Sequence, residues 1–237
     1  MVAQKITIEP VTRIEGHAKV TIRMKEDGTV DHAYMHVNEF RGFEKFCEGR
    51  MVFEMPLITP RICGICPVSH HLASAKAGDD AFGAPPPRPA SLLRELMHMG
   101  QVVQSHGMHF FELAGPDLIL GFDADPAVRN AIGLLQANPE LTVRAVNLRK
   151  WGQEIIAILG GRRIHPSFAV PGGVNKALSK EDREKILSGY DESIKTIQTG
   201  IAIYADWVEK NLEVINHFGV FKTGYFGLVK PGNTHEL

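Results

Sequence analysis

The sequence predicts an α+β fold: a small N-terminal antiparallel β region over residues 1–40, followed by a mainly α-helical bundle over residues 41–237. Two observations predict it. Apolar residues alternate with period two as far as Glu39, and from Phe40 onward they recur at steps of three and four. Pro and Gly then fall between the helical stretches as punctuation, at Pro56, Pro60, Pro85-Pro86-Pro87, Gly115-Pro116 and Pro171-Gly172-Gly173.

Taken in order, Ile6 and Ile8, then Ala18, Val20 and Ile22, then Val30, Ala33, Met35 and Val37 mark three strands. Asp27-Gly28 sits between the second and third, where its turn chemistry favours a hairpin. A helix is expected over about residues 90–113. Another is expected over 139–160, with Asn138 as cap, Pro139 at the first helical position and Gly160-Gly161 at the end. A third starts at Ser179, which caps with Asp182 three residues on. Its stripe runs Ile186, Tyr190, Ile194, Ile197, Ile201, Tyr204, Val208, Leu212 and Ile215, with Gly189 and Gly200 as places where it bends or breaks. Residues 219–237 read as loop and short strand.

Composition excludes several classes of function. The chain has 44% hydrophobic and 22% charged residues, which fits a globular protein and neither a disordered nor a fibrous one. Twenty-six Lys plus Arg stand against 27 Asp plus Glu, so nothing calls for nucleic acid as partner. No apolar run approaches the ~18 residues of a membrane span, and no membrane insertion is expected. The N-terminus carries no signal-peptide pattern, which makes the cytoplasm the expected compartment. There is no G-x-G-x-x-G, no G-x-x-x-x-G-K-[ST] and no G-x-S-x-G, so a nucleotide cradle and a serine nucleophile elbow are both missing.

Three cysteines, two of them in Cys63-Gly64-Ile65-Cys66, point to thiolate chemistry in a reducing compartment and away from a disulfide scaffold. If this segment enters a helix, Cys63, Cys66 and His70 share one face. Such a set suits zinc, nickel or an iron–sulfur iron. A closed zinc site needs four ligands and would have to recruit His70 or His71, while Cys47 stands alone as a small buried hydrophobe. A redox dithiol wants a βαβ setting that the pattern lacks, which leaves metal ligation ahead. His106, His109 and Glu112 are spaced by threes, and the apolar residues around them favour a packed helix face over a site.

The segment Arg61-x-Cys63-x-x-Cys66-x-x-x-His70 resembles the first cysteine motif of nickel–iron hydrogenase large subunits. Two further stretches, Glu9-Pro10-Val11-Thr12-Arg13-Ile14-Glu15-Gly16-His17 and Phe40-Arg41-Gly42-Phe43-Glu44-Lys45-Phe46-Cys47-Glu48-Gly49-Arg50, resemble that family in the same order. The likeness continues through 100–106, 125–130 and 170–174, and it is strongest to the bidirectional, NAD(P)-coupled cytoplasmic class. Glu9 departs from the family's usual Asp.

The resemblance implies a Ni–Fe centre held by four cysteines, with cyanide and carbonyl ligands on iron. Cys63 would be a terminal nickel ligand and Cys66 would bridge the metals. His70 would donate a hydrogen bond to a cysteine sulfur, Glu15 would be the first proton relay, and Glu44 would be a ligand to a nearby Mg²⁺. H₂ would be cleaved heterolytically, with electrons passed to an iron–sulfur small subunit and then to flavin-containing NAD(P) diaphorase subunits. The family's second cysteine pair has no counterpart after Cys66, so a fragment of the catalytic subunit, inactive alone, is expected. Two alternatives stay open: a non-catalytic scaffold or assembly paralogue without the Ni–Fe centre, and a small zinc-binding protein.

Overall fold

The computed structural model describes residues 4–220, 222–227, 229–230 and 234–235. The chain divides into two compact units, residues 1–49 and 50–237. Residues 41–49 therefore belong with the sheet, whereas the sequence pattern places them in the helical region.

In the first unit, β1 (Lys5–Ile8), β2 (Ala18–Met24) and β3 (Val30–Val37) form an antiparallel sheet in the order β1-β2-β3. Ile6 faces Ile22 and Ala18 faces Val37 across the ladders. The hairpin closes as its residues dictate. Gly28 takes the left-handed φ of 82°, and the Asp27 carboxylate accepts hydrogen bonds from the Thr29 backbone N–H (2.9 Å) and hydroxyl (2.6 Å). Those bonds hold the Asp27 carboxyl below the usual carboxylate range. Only Ala18 and Thr21 are buried among the described residues of this unit, because it has no second layer of its own to cover the sheet. One turn of helix, α1 (Phe43–Cys47), follows.

The second unit opens with a 3₁₀ turn, Val52–Glu54, followed by the one-turn helix α2 (Met55–Ile58), then α3 (Pro67–Phe82) and α4 (Arg88–Met108). A π-helical turn, His109–Ala114, continues α4 into α5 (Gly115–Leu120). The wide turn lies directly before Pro116, which brings no N–H to the ladder. Next come α6 (Ala131–Ala137) and α7 (Pro139–Gly160). The α7 ends match the sequence expectation: the Asn138 side chain accepts from Leu141 N–H at 3.2 Å, and Gly161 closes the helix at φ 74°. A short hairpin, β4 (Ala169–Val170) and β5 (Gly173–Val174), precedes α8 (Lys180–Ser188), α9 (Tyr190–Lys210) and α10 (Leu212–His217). Val229–Lys230 then pairs antiparallel with Thr234–His235.

The core of this unit is built on α4 crossing α7. A Cβ at Gly152 would lie 2.6 Å from the Gly100 carbonyl, so the two backbones approach as only glycine allows. Val68, Met97, Ile155, Ile156, Leu159, Phe168 and Ile186 fill one cluster beside this crossing. Phe111, Leu141, Ala145 and Leu148 fill another.

The stripe expected from Ser179 to Ile215 is three helices, broken at Gly189, one of the two glycines expected to bend or break it, and again at Asn211. Gly189 ends the first because the Trp151 indole occupies the place of a Cβ and its N–H donates to the Ile186 carbonyl at 2.9 Å. On α9 the buried positions are the small residues Ser193, Thr196 and Gly200, while Ile201 and Tyr204 are exposed. Gly200 does not break the helix; it makes room for Phe110 and Phe111.

Candidate metal centre

The loop carrying the two cysteines is set by proline on both sides. A 3₁₀ turn over Thr59–Ile62, with Pro60 inside it, ends at Cys63, whose backbone is extended. Cys66 is the cap of α3, and Pro67 occupies the first helical position. The residue before a proline is pushed out of the helical region. The segment therefore does not enter the helix, and the shared helical face expected for Cys63, Cys66 and His70 is absent. A tight loop replaces it. The N–H groups of Ile65 and Cys66 both point at Cys63 Sγ, at 3.4 and 3.3 Å, and His70 Nε2 lies 3.6 Å from Cys66 Sγ. Both sulfurs are half-buried, and none of the three cysteines is in a disulfide.

Two buried glutamines hold the loop from below. The Gln101 and Gln104 side-chain amides both donate to the Ile65 carbonyl, at 2.9 and 2.8 Å. The Thr59 hydroxyl bonds the carbonyls of Met55 and His70. His71 is fully buried and engaged at both ring nitrogens: Nδ1 donates to the Pro56 carbonyl (2.6 Å), and Nε2 accepts from the N–H groups of Phe168 (3.2 Å) and Ala169 (2.8 Å). That pattern fixes a neutral tautomer. Burial pushes its imidazole below the ordinary value, helped by the charge of Arg94 and opposed by the bond to Pro56.

Helix α3 is tied to α4 and to the β4–β5 hairpin by a buried ion pair. Arg94 donates to both carboxylate oxygens of Asp79 (2.5 and 3.1 Å) and to the carbonyls of Val170 and Gly173, while Gly172 N–H donates to Asp79 at 2.6 Å. Burial works against the Asp79 charge. The bonds from Arg94 and Gly172, with the Arg94 charge, outweigh it and hold the carboxyl below the usual range.

Sequence reasoning assigns no role to Arg94, Gln101, Gln104 or Asp79. The signal is present on α4, where Arg94, Met97, Gln101, Gln104 and Met108 recur at steps of three and four along its buried side. Polar residues on a core stripe need partners: Arg94 meets Asp79, and the Gln101 and Gln104 amide N–H groups meet the Ile65 carbonyl, while Gln101 Oε1 is left without one among the described residues.

Of the other candidates, His71 is withdrawn as a zinc ligand, since both its nitrogens are used. Among the described residues no three His, Cys, Asp or Glu side chains gather to hold a metal, so the zinc-protein alternative lacks its ligand set. His106 and His109 face solvent instead of packing, and Glu112 pairs with Arg149 at 3.4 Å.

Glu15 and Glu44 lie in the first unit. Glu15 is exposed on a bend whose backbone is left-handed at Arg13 (φ 56°) and Gly16 (φ 80°). The flanking His17 bonds Glu39 at 2.8 Å. Glu44 accepts from Arg41 at 2.8 Å. Its own backbone N–H, then Arg41, hold the Glu44 carboxyl below the usual range.

Comparison with known proteins fits this geometry. A nickel-dependent hydrogenase model matches residues 41–138, covering the cysteine loop and its glutamine supports, and a HoxL-like model matches residues 5–40. The H2-reduced NAD+-reducing [NiFe]-hydrogenase superposes on 99% of this chain with a TM-score of 0.94 at 45% identity, using 52% of its own chain. The chain belongs to the nickel-dependent hydrogenase large-subunit family.

Within this hydrogenase family it is 47% identical to a subunit of the vhu F420-non-reducing hydrogenase of Methanocaldococcus jannaschii, over 96% of this chain and 54% of the relative. It is 43% identical to the NAD-reducing hydrogenase HoxS subunit beta of Cupriavidus necator, over 91% of this chain and 47% of the relative. The Ni-Fe-Se hydrogenase of D. vulgaris Hildenborough matches at a TM-score of 0.80 and 29% identity, over 98% of this chain and 51% of that one. The chain thus spans about half the length of the relatives it matches. No helix among the described residues is long and apolar enough to cross a membrane.

Proposed function

We propose that this hydrogenase chain supplies two of the thiolates of a Ni–Fe centre, Cys63 and Cys66, in a protein that reversibly splits H₂ into two protons and two electrons. The observation that carries the reading is the cysteine loop: two thiols outside any disulfide, with two backbone N–H groups directed at one sulfur and an imidazole nitrogen beside the other. Soft donors of this kind fit nickel and iron, and a two-sulfur set is half of a four-cysteine sphere. When bound, the centre supplies the Lewis acidity and redox capacity that H₂ cleavage needs, with cyanide and carbonyl on the iron.

The roles left to this chain are holding, tuning and proton transfer. Cys63 and Cys66 hold the metals. His70 donates from Nε2 to the Cys66 sulfur, a hydrogen bond that withdraws electron density from it. Glu15 takes the proton and passes it outward. Glu44, which now accepts from Arg41, would offer one carboxylate to Mg²⁺; among the described residues no group of three His, Cys, Asp or Glu gathers there, so further oxygen ligands would have to complete the shell.

The electrons go to an iron–sulfur subunit and then to NAD(P) through a flavin-containing diaphorase. The HoxS relative and the NAD+-reducing structure support that acceptor, while the F420-non-reducing relatives carry no NAD in their names. Thiols outside disulfides support the cytoplasm as the compartment of the complex.

Two substitutions in the nickel-loaded protein test the reading. Cys63→Ser is expected to remove nickel as measured by elemental analysis, and full nickel retention would contradict the ligand assignment. Glu15→Gln is expected to keep nickel while lowering H₂ oxidation by about 10²–10⁴-fold, the range of a lost general acid–base step; unchanged turnover would take Glu15 off the proton path.

A further inference from the structure

The peptide between Ile65 and Cys66 links the two glutamines to the Cys63 sulfur. It is trans and planar, so its C=O and N–H point in opposite directions. Its carbonyl receives both glutamine amides, and its N–H is 3.3 Å from Cys63 Sγ. Clamping the oxygen therefore aims the hydrogen. A carbonyl oxygen has two lone pairs, and here both are filled by side chains of one helix.

We propose that Gln101 and Gln104 are positioning residues for the metal centre, acting through this peptide to hold an N–H···S hydrogen bond on Cys63. Three observations carry the proposal. First, both glutamines are almost completely buried, at 3% and 4% exposure, so their amides do not serve solvation. Second, Gln101 Oε1 has no hydrogen-bond partner among the described residues; an apolar side chain of the same size would avoid that cost, so what the amide adds is its N–H. Third, the donors sit on a fixed platform. The Gly100–Gly152 contact locks α4 against α7, and a Cβ on Gly152 would come within 2.8 Å of the Gln104 backbone nitrogen.

The inference rests on the reading of Cys63 as a nickel ligand. A sulfur that accepts N–H hydrogen bonds gives less electron density to its metal, and such bonds raise the reduction potential of thiolate-bound centres. The glutamine pair thus sets the potential of the site without touching metal or substrate, and its two members are partly redundant because either alone can hold the carbonyl.

The test is Gln101→Leu with Gln104→Leu in the nickel-loaded protein, read by nickel content and by the midpoint potential of the nickel electron paramagnetic resonance signal. The double variant is expected to keep its nickel and to show a more negative midpoint potential with altered g values. Each single variant is expected to shift the potential less than half as far. Unchanged potential and g values with full nickel content would overturn the proposal. Should the double variant not accumulate, the singles carry the test, and an unmoved potential in both counts against it. Cys63→Ser separates the two claims: nickel retained in that variant sinks the ligand reading itself, whereas nickel lost there with unmoved potentials in the glutamine variants sinks only the clamp.

Discussion

The two thiols and the two carboxylates assigned to the chemistry are held in opposite ways. Cys63 and Cys66 sit on a loop whose Ile65 carbonyl is held by two buried glutamine amides, and the segments on either side of it are tied down by the Thr59 hydroxyl on the His70 carbonyl and by His71 of α3 on the Pro56 carbonyl. Glu15 and Glu44 stand on a small unit with two buried side chains among its described residues, secured by the exposed pairs His17–Glu39 and Arg41–Glu44. Buried hydrogen bonds specify geometry because breaking one leaves its partner unsatisfied, whereas a surface ion pair can be exchanged for water at little cost. The sulfur geometry is therefore built into the fold, whereas the surface pair of Glu44 with Arg41 can be exchanged.

Breaking the framework of the second unit gives the largest effect expected. Arg94→Leu leaves the Asp79 carboxylate buried without its counter-charge and strips the hairpin carbonyls of their donor. Urea unfolding is expected to show a loss of about 3–5 kcal/mol; a loss under about 1 kcal/mol would mean that the pair is not integral to the fold.

The next effect depends on pH. His71 has its folded value pushed below the ordinary 6.5, so below that pH the unfolded chain takes up a proton that the folded chain does not. Stability is then fully present above about pH 6.5 and falls as pH drops, by at most about 1.4 kcal/mol per unit for one proton. His71→Gln is expected to be less stable at pH 7.5 and to show a shallower decline between pH 6.5 and 5. The remaining slope comes partly from His98, which burial also pushes down. An undiminished slope in the variant would show that His71 is not the group responsible.

The smallest effect belongs to the exposed side of the comparison. Glu44→Gln is expected to change stability by less than about 0.5 kcal/mol, because its pair with Arg41 is open to solvent. A larger loss in thermal unfolding would place Glu44 in the framework and erase the contrast.

The legibility of the sequence follows the same division. Local chemistry is readable: Asn138, Pro139 and Gly161 bound α7 as expected, and Asp27-Gly28 makes the turn of the sheet. Features set by a distant partner are not. The break at Gly189 is legible as a glycine, but Gly200 keeps its helix because it makes room for Phe110 and Phe111, and the buried side of α9 is chosen by close approach of small residues, so its apolar stripe is a poor guide. At the site, Cys63, Cys66 and His70 stand out by spacing. Their true geometry depends on Pro67, whose effect on the preceding residue is visible in the sequence and overrides the helical face that the spacing suggests. Gln101 and Gln104 are hidden for a different reason. An isolated glutamine on a helix looks solvated, and only the stripe it shares with Met97 and Met108 reveals that it is inside.

The central claim is that the Cys63 and Cys66 sulfurs are ligands of a nickel-containing centre. Nickel-edge X-ray absorption on the metal-loaded protein tests it most directly, with wild type compared against Cys66→Ser. The account predicts a sulfur-dominated nickel environment that loses sulfur, or loses nickel outright, in the variant. Nickel bound only by nitrogen and oxygen, or a sulfur shell untouched by the substitution, would contradict it.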